Sequence, residues 1–177
     1  MEISRVIEFD ISSDTHKKIT DLRNSCFPKE NNKPRSYYKQ IPHFRYLVFV
    51  ENTLIAHMGV DCRVIRVGER VFKIFGVVDL CVKSSYQQRG IASKLLTSLT
   101  ELAKEKSIDF LFAVVNSDRL YLKNGFQSIS NYCFWLRIRE HQNYGVAVEK
   151  IENEFMVKQT GDKLWIDEPI DLLGYMF

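Results

Sequence analysis

The sequence predicts a mixed α/β fold in which helices flank a mostly antiparallel sheet, and three observations support this prediction. Residues 44–82 are rich in β-branched and aromatic residues and contain only two short turn signals, which is typical of strands joined by hairpins. Apolar residues then recur at steps of three and four over 90–106, the period of a helix with one buried face. The apolar run at 109–115 is typical of a strand buried on both faces. Hairpin strands followed by a helix and another strand favour a mixed sheet.

The composition is that of an ordinary globular protein. The chain has 177 residues, 45% hydrophobic and 27% charged, so we expect a single domain over 1–177. The 25 basic and 22 acidic residues give a net charge of +3 without a block of like charges, so we expect no nucleic-acid partner. The N-terminus lacks the pattern of a signal peptide, and no run of about 18 apolar residues predicts a membrane span. We therefore expect a cytoplasmic protein without a membrane partner.

The cysteines do not form a recognisable motif. None belongs to a Cys-x-x-Cys pair or is spaced from a histidine like a metal ligand, so we expect reduced thiols and no metal site. The four are Cys26, Cys62, Cys81 and Cys133.

In the N-terminal part, the alternation of residues 3–11 predicts a first strand. The Ser/Asp/Thr start of 12–27 predicts a capped helix, which Pro28 ends. The polar segment 29–42, with two prolines and two tyrosines, predicts a mobile loop or a short helix.

Three hairpin strands are predicted at 45–50, 54–67 and 71–82. Gly76 interrupts the third strand, which indicates a bulge or the close approach of another group. After the long helix and the buried strand, 117–126 predicts a two-turn helix that Asn124 and Gly125 end. The tail holds four further strand candidates, at 132–138, 146–151, 154–157 and 163–166.

Residues 87–92, Gln-Gln-Arg-Gly-Ile-Ala, stand at the start of the predicted long helix. The first N–H groups of a helix have no intrahelical acceptor, and with the helix dipole they attract phosphate oxygens. Gly90 would let a ligand approach the backbone closely, and Arg89 adds a positive charge. The residues alone leave a second interpretation open, a capped turn that binds no ligand.

The same residues resemble the (Q/R)-x-x-G-x-(G/A) signature of the GNAT superfamily of N-acetyltransferases, including the apolar strand before it and the amphipathic helix after it. Residues 112–126 resemble a second motif of the family, a buried strand, an asparagine and a short helix ending in Tyr-x-x-x-Gly-Phe. The resemblance covers roughly residues 44–130.

The resemblance implies acetyl-CoA as cofactor, held in a V-shaped split between the two central strands. Backbone groups of Leu80, Cys81 and Val82 would pair with the pantetheine arm as with an added strand. The N–H group of Leu80 would stabilise the developing oxyanion of the thioester. Asn116 would contact the arm from the opposite strand. The pyrophosphate would lie on the turn and helix start, Gln87, Gln88, Arg89, Gly90, Ile91, Ala92 and Ser93.

Tyr121 matches the tyrosine of the family that acts as general acid near the cofactor sulfur. A phenol with a pKa of about 10 keeps its proton at neutral pH and can deliver it to a departing thiolate. The alternative is a core aromatic, because Leu120 and Phe126 surround the same short helix.

The sequence does not identify the general base. Many members of the family carry a glutamate fourteen residues before the glycine of the signature, and Gly76 stands there in this chain. Asp79 is a candidate, although regular alternation places it on the opposite face from Gly76. His57, Glu51 and a water relay stay open as well.

Cys81 invites the idea that its thiol takes the acetyl group first. No histidine is identifiable as its partner, and the resemblance implies direct transfer in a ternary complex. A small buried strand residue is therefore the favoured interpretation of Cys81.

We expect the acceptor to be the primary amine of a small molecule. Four aromatic residues would form a wall for a cationic or hydrophobic amine, or would anchor loops: Tyr37, Tyr38, Phe44 and Trp135. The tail has a faint likeness to the ends of aminoglycoside 2′-N-acetyltransferases, and its acids would suit a polycation or form a solvated surface: Asp162, Asp167, Glu168 and Asp171.

Two alternatives to this function are kept. One is acetylation of protein N-termini or lysines, and the other is a catalytically idle CoA-binding module used for regulation or assembly. The sequence also leaves open the length of the acyl donor and whether the molecule is a homodimer.

Overall fold

The computed structural model of the protein describes residues 2–28 and 33–177. Within them the chain forms three helices, α1 (Ser13–Cys26), α2 (Ile91–Glu105) and α3 (Arg119–Lys123). The strands are β1 (Glu2–Ile7), β2 (Phe44–Val50), β3 (Thr53–Val67), β4 (Arg70–Val82), β5 (Phe110–Val114), β6 (Gln127–Arg139), β7 (Gln142–Gln159) and β8 (Ile170–Tyr175). The predicted mixed α/β class is confirmed. None of the described helices is long and apolar enough to cross a membrane.

The elements form two compact units. The first contains Met1–Val60 and Val78–Leu96, and the second contains Asp61–Val77 and Thr97–Phe177. The limits fall inside β3, β4 and α2, so each unit contains a part of these three elements.

In the first unit the strand order is β1-β2-β3-β4. The pairs of β1 with β2 and of β2 with β3 are antiparallel. Helix α1 begins after Ser12, whose side chain accepts a hydrogen bond from the Thr15 N–H group and so caps the helix as predicted. Ile19 and Leu22 of the helix pack on Leu47 of the sheet, which fixes α1 to the strands.

In the second unit the order is β3-β4-β5-β7-β6-β8, and β8 also pairs with β3 through Arg66–Asp171 and Val67–Ile170. The pairing therefore closes into a ring. All six strands contribute to one core cluster, which contains the stacked rings of Phe72 and Trp165 with Phe110 set edge-on against both.

The first predicted strand is shorter than expected. It ends at Ile7, and Glu8–Asp10 form a short 3-10 helix. The reason is that Glu8 turns inward, where its two carboxylate oxygens accept hydrogen bonds of 2.7 and 2.9 Å from the buried guanidinium of Arg45. Of the predicted loop 29–42, residues 29–32 lie outside the described part of the chain, and 33–42 form no helix or strand.

The tail departs further from the prediction. The predicted strand 163–166 is wrong, since this segment is irregular and Trp165 instead packs into the aromatic core. Strand β8 was missed, and β7 is one strand where two were predicted, with Asn153 accommodated at a φ of 63°. Helix α3 has five residues instead of two full turns, but it does stop at Asn124, before Gly125 with its φ of 80°.

His57 is a buried polar residue of the first unit. Its side chain is 0% exposed, and neither ring nitrogen has a hydrogen-bond partner among the described residues. Burial, and then the positive charges of Arg45 and Arg23, lower the pKa of His57 well below its ordinary value of 6.5. The folded protein therefore keeps this imidazole neutral.

We expect the free energy of unfolding to fall as the pH drops below about 6.5, because the unfolded chain then binds a proton that the folded His57 does not bind. One such group contributes a slope of up to about 1.4 kcal/mol per pH unit. Urea unfolding between about pH 7.5 and pH 5 measures it. The variant His57→Leu should lose this part of the slope, whereas exposed His141→Leu should keep it. Identical slopes in the wild type and His57→Leu would contradict the assignment.

Candidate functional site

The strand segment that was predicted to hold the cofactor begins at an unusual backbone position. Asp79 has a φ of 47°, in the left-handed region that non-glycine residues rarely adopt. Its Oδ2 atom accepts a hydrogen bond of 2.8 Å from Nε of Arg23, and the two side chains are 12% and 1% exposed. Regular alternation does not continue through a left-handed residue. The argument that placed Asp79 on the opposite face from Gly76 therefore has no basis.

The Arg23 guanidinium has two aromatic neighbours as well. It lies 5.5 Å from the ring centre of Tyr38 and 6.0 Å from that of Phe27. Tyr38, which was predicted as an acceptor contact, is thereby placed beside the ion pair with Asp79. No local sequence pattern indicated Arg23, which is 56 residues away from its partner.

The backbone of Leu80, Cys81 and Val82 continues β4 beyond its pairing with β5. That parallel pairing runs from Ile74–Phe110 to Val77–Ala113, while β4 extends to Val82. The Val82 carbonyl accepts a hydrogen bond of 3.0 Å from Nε2 of Gln87. The side chain of Gln87 thus ties the following turn back to the strand.

The predicted phosphate cradle is an exposed turn at the start of α2. Gln88 and Gly90 have left-handed φ values of 60° and 78°, and Arg89 lies between them. Such an alternation turns successive backbone N–H groups toward a common concave site, which can bind an anion. Intrahelical bonding starts with the Lys94 N–H group, which donates to the Gly90 carbonyl at 3.0 Å. The Arg89 guanidinium lies 5.1 Å from the Tyr86 ring centre. A Cβ atom at Gly90 would meet nothing within 4 Å, so the mouth of the helix is open.

The other predicted cofactor residues belong to the second unit. Asn116 is exposed and follows β5, and Tyr121 is half-buried in α3. The Tyr121 ring stands edge-on to Phe126 with 5.2 Å between the ring centres. Phe126 is 3% exposed and belongs to the core, whereas Tyr121 is half-buried beside it.

Gly76, where the family pattern has a glutamate, packs against the C-terminal residue. A Cβ atom at Gly76 would overlap the ring of Phe177. Of the two alternatives predicted for this glycine, the close approach of another group is confirmed, and the pairing of β4 with β5 runs through Gly76 in regular register. The Phe177 ring in turn lies 4.0 Å from the guanidinium carbon of Arg63, which lies 4.1 Å from the Tyr175 ring centre.

Hydrogen bonds hold this C-terminal cluster of Asp61, Arg63, Tyr175 and Phe177 together. Arg63 Nη1 donates to the Tyr175 carbonyl at 2.7 Å, and the Tyr175 hydroxyl donates to Oδ2 of Asp61 at 2.6 Å. Burial and this hydrogen bond raise the pKa of Tyr175 above its ordinary value. The hydroxyl therefore stays protonated and is unsuited to act as a base. No local sequence pattern indicated this cluster, although the aromatic residues Tyr175 and Phe177 and the strand glycine Gly76 belong to it or contact it.

The four aromatic residues proposed as a wall have different partners. Tyr37 lines a cleft of about 900 Å³ together with His16 and Lys17 of α1. Phe44 packs edge-on against Tyr46. The Tyr38 ring lies beside the Arg23 guanidinium, and Trp135 packs against the core of the second unit.

The remaining candidates are placed as follows. The tail acids are partly engaged by the chain itself, since Asn131 donates to Asp167 at 3.1 Å and Asp171 pairs with Arg66 at 3.4 Å. Glu51, one of the base candidates, is exposed in the β2–β3 turn with a φ of 53°.

Comparison with known families gives a match to the acetyltransferase (GNAT) domain over residues 10–129. No curated protein matches the chain significantly. The solved structure of YhbS from Escherichia coli, a GNAT family N-acetyltransferase in complex with CoA, is similar with a TM-score of 0.62 at 14% identity, over 97% of this chain and 88% of that chain. Escherichia coli ElaA gives a TM-score of 0.58 at 13% identity, over 89% and 99% of the two chains.

Other similar structures are much longer than this chain. A GCN5-related N-acetyltransferase from Anabaena variabilis gives a TM-score of 0.57 at 13% identity over 75% of this chain and 34% of that chain. The chain thus spans about a third of the length of that protein and of three further similar structures. At these identities the structural similarity shows the fold.

Arg23→Met should lower the free energy of unfolding by about 3–5 kcal/mol, because it leaves the Asp79 carboxylate buried without its cation. Urea unfolding measures the loss. The double variant Arg23→Met, Asp79→Gly should recover most of it, since glycine adopts a positive φ without strain and carries no charge. The exposed pair Arg66–Asp171, with side chains 50% and 31% exposed, is the control, and Arg66→Met should cost less than about 1 kcal/mol. Equal losses in the two single variants would contradict the prediction.

Proposed function

Because the chain belongs to the GNAT acetyltransferase family, whose domain matches residues 10–129, we propose that it moves an acetyl group from acetyl-CoA to the primary amine of a small molecule. The transfer is direct, within a ternary complex, and Tyr121 is the general acid. The chain acts as a single domain over 1–177.

The open mouth of α2 is the observation that supports the proposal most. Its first N–H groups have no intrahelical acceptor, the helix dipole is positive there, and Arg89 adds a charge. Gly90 leaves the approach clear, because no atom lies within 4 Å of where a Cβ would stand. These features fit a pyrophosphate group, which the residues Gln87–Ser93 would hold.

The strand segment Leu80–Val82 supplies the second part of the site. Leu80 follows the left-handed Asp79, whose conformation sets the direction of the next N–H group. We assign this N–H group to the thioester oxygen, where a fixed donor stabilises developing negative charge without reorganisation. Backbone groups of Cys81 and Val82 pair with the pantetheine arm, and Asn116 contacts it as well.

Tyr121 holds the proton that the departing thiolate needs. Its ring is fixed edge-on by Phe126, which reduces the number of positions the hydroxyl can take. A phenol is a suitable donor, because it is protonated at neutral pH and its pKa of about 10 in water is close to that of a thiol.

The base is proposed to lie outside position 76, because Phe177 occupies the space that a longer side chain would need. Asp79 is the candidate, acting through a water molecule. Its Oδ2 atom is engaged by Arg23, so the other carboxylate oxygen would take the proton. His57 is a poor candidate, because burial lowers its pKa well below the ordinary value.

Gly90→Glu should weaken acetyl-CoA binding by roughly a hundredfold, because the added carboxylate occupies and repels the pyrophosphate site. Titration calorimetry measures the affinity. Gly90→Ala adds only a Cβ and the strain of a positive φ, so we expect its affinity to change by less than about threefold. Gly145 has a φ of 85° and equally open surroundings, which makes Gly145→Glu the matched control. Unchanged affinity in folded Gly90→Glu would show that the cradle does not hold the cofactor.

Tyr121→Phe should lower kcat by about 10²- to 10⁴-fold while leaving acetyl-CoA affinity unchanged, because only proton delivery is lost. Turnover is measured as the release of the CoA thiol in the presence of aminoglycosides, polyamines and short peptides. The compound that supports turnover identifies the class of acceptor. Tyr132→Phe, at a tyrosine 57% exposed on β6, is the control and should keep full activity. Peptides as the preferred acceptors would favour a protein acetyltransferase. Cofactor binding without any turnover would favour an idle module.

A further inference from the structure

Two thiols meet between α1 and β4 in the first unit. Cys26 is the last residue of α1, and Cys81 lies in β4 between Leu80 and Val82. Cys81 belongs to the apolar cluster under α1, and the partly buried Cys26 packs against this cluster. Cys26 Sγ also contacts the Val82 carbonyl oxygen at 3.6 Å. One thiol is therefore in reach of the other without a change of fold.

The environments of the two thiols differ in a way that assigns them different chemistry. Cys81 is 1% exposed, and burial raises its pKa well above the ordinary value. Cys26 is half-buried, and the hydrogen bond from Cys81 is the largest cause that lowers its pKa to about 7. A half-exposed thiol with a pKa of about 7 is about half ionised at neutral pH, which makes it the nucleophile of such a pair. The buried neighbour is then the resolving thiol.

The other cysteines do not share these properties. Cys62 is exposed, but partial burial and the charge of Asp61 raise its pKa. Cys133 is buried, which raises its pKa to about 12. Reaction with an oxidant at neutral pH is therefore expected first at Cys26.

We propose that Cys26 and Cys81 form an oxidisable dithiol, which hydrogen peroxide converts into an intrachain disulfide. The Cys26 thiolate attacks one peroxide oxygen, the O–O bond breaks and hydroxide leaves, so Cys26 becomes a sulfenic acid. The Cys81 sulfur then attacks the Cys26 sulfur, the S–O bond breaks, and the leaving hydroxide takes up the Cys81 proton as water. The two sulfurs together lose two electrons, which the peroxide oxygens gain.

The disulfide ties the end of α1 to the middle of the strand segment Leu80–Val82. A disulfide holds its sulfurs about 2.05 Å apart, which is much closer than two hydrogen-bonded thiols, so the helix end or the strand must shift. The backbone groups of Leu80 and Val82 shift with Cys81. We expect acetyl-CoA affinity to fall by about tenfold or more, since a displacement of about 1 Å is enough for such losses. This consequence rests on the proposed function, whereas formation of the bond does not.

The test is oxidation of the whole protein by a small excess of hydrogen peroxide at about pH 7, followed by peptide mapping under non-reducing conditions. The expected product is a linked pair of peptides that contain Cys26 and Cys81, and it should disappear on treatment with dithiothreitol. In Cys26→Ser the link should be absent and Cys81 should stay a free thiol. In the control Cys62→Ser the link should form as in the wild type. A link to Cys62, or Cys26 oxidised to a sulfinic acid beside a free Cys81, would overturn the proposal.

Two further measurements separate the proposal from its consequence. The rate at which iodoacetamide labels Cys26 should rise about tenfold between about pH 6 and pH 8 and then level off, because the thiolate is the reacting form. A rate that keeps rising to about pH 9 would overturn the assignment of Cys26 as the nucleophile. Titration calorimetry then compares acetyl-CoA binding before and after oxidation and after reduction. If the reduced protein binds no acetyl-CoA, the proposed function is refuted, and the disulfide is then judged by the peptide mapping alone. If the reduced and oxidised forms bind acetyl-CoA with equal affinity, the shift of the strand is refuted.

Discussion

The ion pair between Arg23 and Asp79 is the interaction on which the proposed cofactor strand depends. A non-glycine residue at a φ of 47° costs about 1–3 kcal/mol and persists only where its surroundings determine it. Here the surroundings are a buried guanidinium 2.8 Å away, on a helix that its own apolar side chains fix to the sheet. The direction of the Leu80 N–H group is thus set by a side chain far away in the sequence. In the proposed function this N–H group is the oxyanion donor, so its position depends on helix α1 through the Arg23–Asp79 pair.

Helix α1 contacts both strand β4 and the segment that carries Tyr37 and Tyr38. Arg23 binds Asp79, Cys26 contacts the Val82 carbonyl, and the Tyr38 ring lies beside the Arg23 guanidinium. His16 lies about two turns before Arg23 on nearly the same side of the helix, and it lines a cleft with Lys17 and Tyr37. The two adjacent tyrosines therefore contact neighbouring parts of one helix.

The sequence predicted those features that depend on local order. The period of α2, the Ser12 cap and the stop at Gly125 follow from residues that are neighbours along the chain. Strand β8 was missed because its pairing partners β3 and β6 lie far away in sequence, and its own residues do not alternate between apolar and polar. The pairing of Arg23 with Asp79 was missed for the same reason, as were the neighbours of Gly76.

Gly76 stands where the family pattern has a glutamate, and its surroundings leave no room for a longer side chain. The Phe177 ring takes the space that a side chain at 76 would fill. Arg63 contacts this ring, and its guanidinium also donates a hydrogen bond to the Tyr175 carbonyl. A longer side chain at position 76 would require the Phe177 ring and its neighbours to move, because the space beside the glycine is already filled. In the proposed mechanism the amine loses its proton to a group other than residue 76, and the Asp79 carboxylate, held by Arg23 on the same strand, is the proposed group.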